Sequence, residues 1–202
     1  MILWAADFAR SRGVKIHIHL SETRKEVDDC MREHGMSPVE YLDSLGILGP
    51  DVIAAHTLWV SDKDVEILGR RGVTCVHNVN SNLKLASGYK FRYHELKDAG
   101  ANVCLGTDGC ASSNNLDMLE TMKLAALIQK GFHRDASVIT AEQVVKMATR
   151  GGARAIGMAD ALGVLAVGRK ADMILFDPRH LKSCPNHDAA ATVVYASSEE
   201  NI

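Results

Sequence analysis

The chain has no CxxC pair, no apolar run long enough to cross a bilayer, no marked excess of charge of either sign, and no repeat or low-complexity tract. Each absence removes a class of protein. Five cysteines (Cys30, Cys75, Cys104, Cys110 and Cys184) form an odd set without motif spacing, which speaks against a disulfide framework and for a reduced compartment, so cytoplasm is the expected location. A net charge of −2, with basic residues scattered singly, gives no electrostatic reason to expect nucleic acid or an anionic membrane as a partner. The opening MILWAADFARSRG is broken by Asp7 and is too short in apolar length for a signal core or a membrane span. It predicts an amphipathic helix ending near Gly13. What remains is a chain of 202 residues with 47% hydrophobic content, long enough to bury a real core.

A short apolar strand followed by a helical stretch recurs along the first half. Strands are predicted at 14–20, 52–56, 73–78 and 103–106, with helical patterns at about 23–34, 38–45, 61–71 and 91–99. Alternation of this kind predicts an α/β fold with a parallel sheet built from βαβ units. In VKIHIHL, side chains alternate between faces, so Val14, Ile16, Ile18 and Leu20 share one side while His17 and His19 share the other. After the last strand the loop GCASSNN leads to a helix from about Leu116 to Lys130, and TAEQ has the form of a capping box that starts another helix running to Gly157. Beyond it, GVLAVGRKADMILFD changes character and predicts strands of a small β domain, with ATVVYA as one more.

Each predicted strand ends in a residue with chemistry: His19, His56, His77 and, two residues beyond Gly106, Asp108. Taken singly, a strand-end histidine is more often a hydrogen-bonded structural residue, an aspartate in GTDG more often a turn or helix cap, and Glu22 an ordinary surface carboxylate. For His17 the structural explanation stays ahead. Together, at the carboxyl ends of successive parallel strands, they match the catalytic face of a (β/α) barrel. Imidazole nitrogen and carboxylate oxygen are zinc ligands, and a catalytic site keeps a position open for water. His19 and Asp108 suit the ligand roles, and Glu22 sits where a proton carrier could reach a bound substrate.

The stretches HIHLSET, AAHTLWV, HNVNSNLKLASG and LGTDGCASSNNLDM, in this order, resemble the strand-5 to strand-8 motifs of the amidohydrolase superfamily. The nearest branch is that of the 5-methylthioadenosine/S-adenosylhomocysteine deaminases and their chlorohydrolase relatives, and VGRKADMILFD is similar to that branch's return into its small β-sandwich. The resemblance implies the C-terminal half of a metal-dependent (β/α)8 TIM barrel over residues 1–157, with 158–202 forming part of the small β-sandwich. It implies His19 and Asp108 as metal ligands, Asp108 also as general base, Glu22 as the substrate-contacting proton shuttle and His56 as the residue that orients the attacking water or polarises the reacting centre. Asn82 and Ser112 would contact substrate with Glu22 and His56, and the loop 81–88 would form part of the pocket wall. One divalent metal is implied, zinc first, with iron or manganese as alternatives. The implied reaction is hydrolytic deamination of an adenosine-type purine nucleoside with release of ammonia.

Two departures stand out. Val79 occupies a position where the family usually has proline, and the strand-1 HxH pair that supplies two further ligands is absent, because the residues after His17 and His19 match strand 5. Strands 1 to 4 are therefore expected upstream of Met1. The expected partners are a small nucleoside and either a second copy of the chain or the missing N-terminal half. In isolation, weak metal binding and little or no deaminase activity are expected. The alternatives are a guanine or cytosine deaminase or an s-triazine chlorohydrolase of the same superfamily, and, from another class, a non-catalytic half-barrel scaffold or a truncated fragment.

Overall fold

The computed structural model describes residues 1–202. One sheet holds four strands in the order β1-β2-β3-β4, namely β1 Ile16–Leu20, β2 Val52–His56, β3 Thr74–His77 and β4 Asn102–Leu105. β1 and β2 run parallel, with Ile16 beside Val52 and Leu20 beside His56, and β2 runs parallel to β3. The Asn102 amide donates to the Val73 carbonyl at 3.1 Å, so β4 starts level with β3. All four lie within two residues of the predicted strands. Helical crossovers between adjacent parallel strands are the expected connection. β3 and β4 are fully buried, β2 nearly so, whereas β1 alternates half-buried isoleucines with exposed His17 and His19.

The helices are α1 Ile2–Ser11, α2 Arg24–His34, α3 Pro38–Ser44, α4 Asp62–Arg70, α5 Val79–Lys84, α6 Tyr93–Asp98, α7 Cys110–Ser113, α8 Met118–His133, α9 Ala141–Lys146, α10 Gly152–Ala155 and α11 Ala189–Tyr195. Local chemistry accounts for their starts. Ser37 with Glu40, Ser61 with Asp64 and Thr140 with Gln143 form reciprocal capping boxes, and the Ser37 hydroxyl also bonds the Asp64 carboxylate, tying the starts of α3 and α4 together. α8 begins at Met118 because the Asp117 carboxylate accepts the amides of Leu119 and Glu120. Between α9 and α10 a π turn, Met147–Gly151, interrupts the helical path predicted from Thr140 to Gly157.

The chain divides into two compact units: Met1–His77 with Asn82–Val103, and Asn78–Ser81 with Cys104–Ile202. In the first unit Leu20, Val39, Val52, Ala54, Leu68, Val73 and Leu96 form the core between sheet and helices. In the second, Leu119, Met122, Ala126, Ile139, Val144 and Val194 are buried.

Three expectations are corrected. The segment 81–88 is not wholly loop, since α5 runs to Lys84 with Val79 as its first residue, and GCASSNN contains the short helix α7. More consequentially, none of the strands expected for a small β-sandwich forms over 158–202. GVLAVGRKADMILFD is irregular, with Leu165, Val167, Ile174 and Leu175 exposed, and ATVVYA lies mostly in helix α11. A strand is stabilised by a neighbouring strand that pairs its amides and carbonyls, and no such strand lies beside 163–177. In the other segment the Asp188 side chain caps Ala191 at 2.6 Å, and α11 packs on α8 and α9, burying Thr192 and Val194.

Candidate active site

The carboxyl ends of β1 and β2 share an unusual backbone. Ser21 (φ 52°), His56 (φ 76°) and Thr57 (φ 44°) all sit in the left-handed region without being glycine, at a cost on the order of 1–3 kcal/mol each. Tertiary hydrogen bonds hold them there: the Thr57 amide donates to Leu20 O at 2.9 Å, and Leu58 and Trp59 donate to Ser21 O at 3.1 and 2.9 Å.

His56 is 1% exposed, and its ring is fixed from two sides. Asn82, equally buried, places its amide nitrogen 2.8 Å from His56 Nδ1. With Nδ1 accepting, the neutral ring carries its proton on Nε2, which faces Glu22 Oε2 at 3.6 Å. Glu22 is partly buried, its side chain 22% exposed, and its Oε1 accepts the Ser87 hydroxyl at 3.0 Å. His19 stacks on His56 with ring centroids 5.2 Å apart and 17° between planes. Nitrogens of the two rings lie within 4.8 Å of one another. His17, two residues earlier, is exposed on the same strand face and takes no part in this cluster.

His77 behaves differently from its strand-end neighbours. It is buried, stacked on Phe91 at 4.4 Å and nearly parallel, and its Nε2 has no hydrogen-bond partner. Burial, with a smaller contribution from His56, pushes its pKa down to about 3, so it is a neutral packing residue. The first unit thus brings together His19, Glu22, His56 and Asn82 and leaves His17 and His77 out of that group.

In the second unit Asp108, also left-handed at φ 60°, starts the turn into α7. Its Oδ1 accepts the Gly109 amide at 2.8 Å, and its Oδ2 lies 2.9 Å from the Ser112 hydroxyl, which is also 2.9 Å from Gly109 O. Ser112 is therefore a direct neighbour of the Asp108 carboxylate. Two contributors escaped the sequence reasoning: Ser87 and Glu26, whose carboxylate accepts the amides of Ser21 and Glu22 at 2.7 Å each. TRKE at 23–26 has capping-box spacing, a signal that could have drawn attention to Glu26.

Parallel strands whose carboxyl ends present imidazoles and carboxylates are the arrangement of a catalytic face in an α/β enzyme. Over residues 1–202 the chain matches the amidohydrolase family, and it belongs to that family. It is 50% identical over 195 residues to the 5′-deoxyadenosine deaminase of Methanoregula boonei, covering 96% of this chain and 44% of that protein. It is 44% identical over 194 residues to 5-methylthioadenosine/S-adenosylhomocysteine deaminase 1 of Archaeoglobus fulgidus, covering 96% and 46%. Among solved structures, the zinc-bound adenosine deaminase of Xanthomonas campestris superposes with a TM-score of 0.94 at 35% identity, over 99% of this chain and 45% of that one. The zinc complex of atrazine chlorohydrolase from Arthrobacter aurescens gives 0.89 at 27% identity, over 97% and 43%. The chain thus spans less than half the length of the relatives it matches.

Proposed function

We propose that this chain carries the strand-5 to strand-8 half of a hydrolytic deaminase that acts on an adenosine-type purine nucleoside and releases ammonia. The observation that carries it is the fixed geometry of Asn82, His56 and Glu22, which sets a proton on His56 Nε2 opposite a carboxylate. Identity of 44–50% to proteins named as 5′-deoxyadenosine and methylthioadenosine/S-adenosylhomocysteine deaminases supports the adenosine-type substrate over a chlorinated triazine, whose hydrolase is 27% identical.

His19 is accessible and Asp108 supplies a carboxylate, and this imidazole and carboxylate donor set fits a divalent ion, zinc before iron or manganese. When bound, such an ion supplies Lewis-acid activation of water. The chain's own groups do the rest. His56 Nε2–H orients the attacking water or polarises the reacting carbon. Asp108 accepts a proton from the water. Glu22, in its acid form, protonates the purine ring nitrogen as the carbon bearing the amino group gains oxygen; the proton held by Asp108 then passes to the amino nitrogen, the C–N bond breaks and ammonia leaves. Asn82 keeps His56 in the required tautomer, and Ser112 steadies Asp108 beside the substrate. In the same proposal residues 1–157 form the half barrel, and 158–202 contribute to a composite small domain whose strands pair only with partner strands.

The test is ammonia release from 5′-deoxyadenosine and methylthioadenosine. It is run on the chain alone and on the chain mixed with the N-terminal portion of the Methanoregula boonei relative that the chain does not span. Release by the mixture, abolished by a chelator and restored by zinc, is expected, with little or none from the chain alone. A zinc-loaded mixture that forms a complex and releases no ammonia would overturn the proposal in favour of a non-catalytic scaffold.

A further inference from the structure

We propose that Glu26 and Ser87 are positioning residues that together aim the Glu22 carboxylate, one through its main chain and the other through its side chain. The inference rests on the deaminase reading for its purpose and on geometry alone for its content. Glu26, in the first turn of α2, spans the strand end with both oxygens: Oε1 accepts the Ser21 amide and Oε2 the Glu22 amide, each at 2.7 Å. Thr23 in turn caps the Glu26 amide through Oγ1 at 3.1 Å, so the carboxylate springs from a helix start that is itself fixed. Bonds between an ionised acceptor and backbone amides are the stronger kind, and two on adjacent amides leave the turn after β1 little freedom.

The second anchor comes from 65 residues further along. Ser87, 8% exposed, donates to Glu22 Oε1 at 3.0 Å. Its own backbone is immobilised, because the Trp59 indole N–H donates to Ser87 O at 2.7 Å. The following residue, Gly88, has φ 147°, and a Cβ there would come 3.2 Å from Trp59 Nε1, so glycine is what lets the indole approach. With Oε1 engaged by Ser87, Oε2 is the oxygen turned toward His56 Nε2. The two carboxylate oxygens of Glu22 are thereby made inequivalent before any substrate arrives. A proton donor needs this orientation, since proton transfer depends on reach to within hydrogen-bond distance.

The experiment uses the whole chain and needs no turnover. Amide hydrogen exchange read residue by residue by mass spectrometry tolerates an oligomer. In Glu26→Gln, whose amide group presents a donor to one of the two N–H groups, exchange at Ser21 and Glu22 should accelerate at least about tenfold while Ile18 within β1 stays unchanged. The carboxyl ¹³C resonance of Glu22, assigned as the signal lost in Glu22→Gln, should move in Ser87→Ala and return in Ser87→Thr, in solution or in the solid state. Unchanged exchange at both amides in Glu26→Gln, or a Glu22 resonance indifferent to Ser87→Ala, would overturn the mount. Those results stand whatever the ammonia assay gives. A zinc-loaded, complemented mixture that forms a complex and releases no ammonia, from a chain that shows both effects, would refute the deaminase reading and leave the mount intact.

Discussion

The amide nitrogen of Asn82 stands 2.8 Å from Nδ1 of His56, with both side chains 1% exposed. That single bond selects the tautomer of a buried imidazole, and the other ring nitrogen then faces Glu22.

Removing that bond should be felt twice. Asn82→Ala leaves His56 Nδ1 without its amide, and a buried polar group that loses its partner costs about 1–3 kcal/mol, which should appear as a lower urea midpoint at unchanged slope. In the complemented enzyme, kcat should fall by about 10²-fold or more as the ring loses its orientation, in the range that positioned acid–base groups contribute. A variant with the parent's midpoint and turnover would show that Asn82 is a bystander.

Asp108→Asn should keep the fold and lose the chemistry. The amide oxygen can still accept from Gly109, so the turn into α7 survives, but the negative charge and the basic lone pair are gone. Zinc affinity by equilibrium dialysis should drop, and turnover of the complemented enzyme should fall by more than about 10²-fold with an unaltered circular dichroism spectrum. Turnover within about tenfold of the parent would mark Asp108 as a turn residue only.

His77 makes stability depend on pH in a stated direction. Its pKa falls from 6.5 unfolded to about 3 folded, through burial first and the proximity of His56 second. Between those values the unfolded chain binds the extra proton, so stability is full above the unfolded pKa and declines as pH drops toward the folded one. At about 1.4 kcal/mol per pH unit, going from neutral pH to pH 5 should remove about 2 kcal/mol that His77→Gln does not lose. Urea melts of parent and variant at both pH values provide the check, and parallel slopes would contradict the assignment of His77 as a buried neutral base.

Self-association should run through α1. Leu3, Trp4 and Phe8 are 49%, 67% and 47% exposed, Trp4 stacks on Phe8 at 5.4 Å, and β1 is an edge strand. An apolar stripe of this kind and an open strand edge each invite a partner. Sedimentation velocity should find oligomers, and Trp4→Lys with Phe8→Glu should shift them toward smaller species. Oligomers of unchanged size in the double variant would place the contact elsewhere.

Much of the fold is legible residue by residue, because its signals are local. Short apolar runs and Ser/Thr caps place all four strands and most helices within two residues of where they form, since local hydrophobicity and orphan helix amides are properties of a few neighbouring residues. The strand-end residues of the candidate site are legible too, for chain order in a parallel sheet puts every strand's carboxyl end on one side. The expected strands over 163–177 and in ATVVYA fail for the complementary reason: apolar β-branched residues can pair only with a neighbour, and the same residues Thr192 and Val194 bury as well in a helix capped by Asp188.

By itself, then, the sequence determined the alternating strand-helix order, the helix starts and the family to which the chain belongs. The division of labour among similar residues was left to tertiary structure. Local sequence alone does not distinguish His56, held by Asn82 in a left-handed backbone, from His77, buried against Phe91 with its basicity suppressed. Nor does any local pattern announce that Ser87, 65 residues away, anchors Glu22. Tautomer, acidity and aim are set by burial and by partners distant in the chain, and those come into being only when the chain folds.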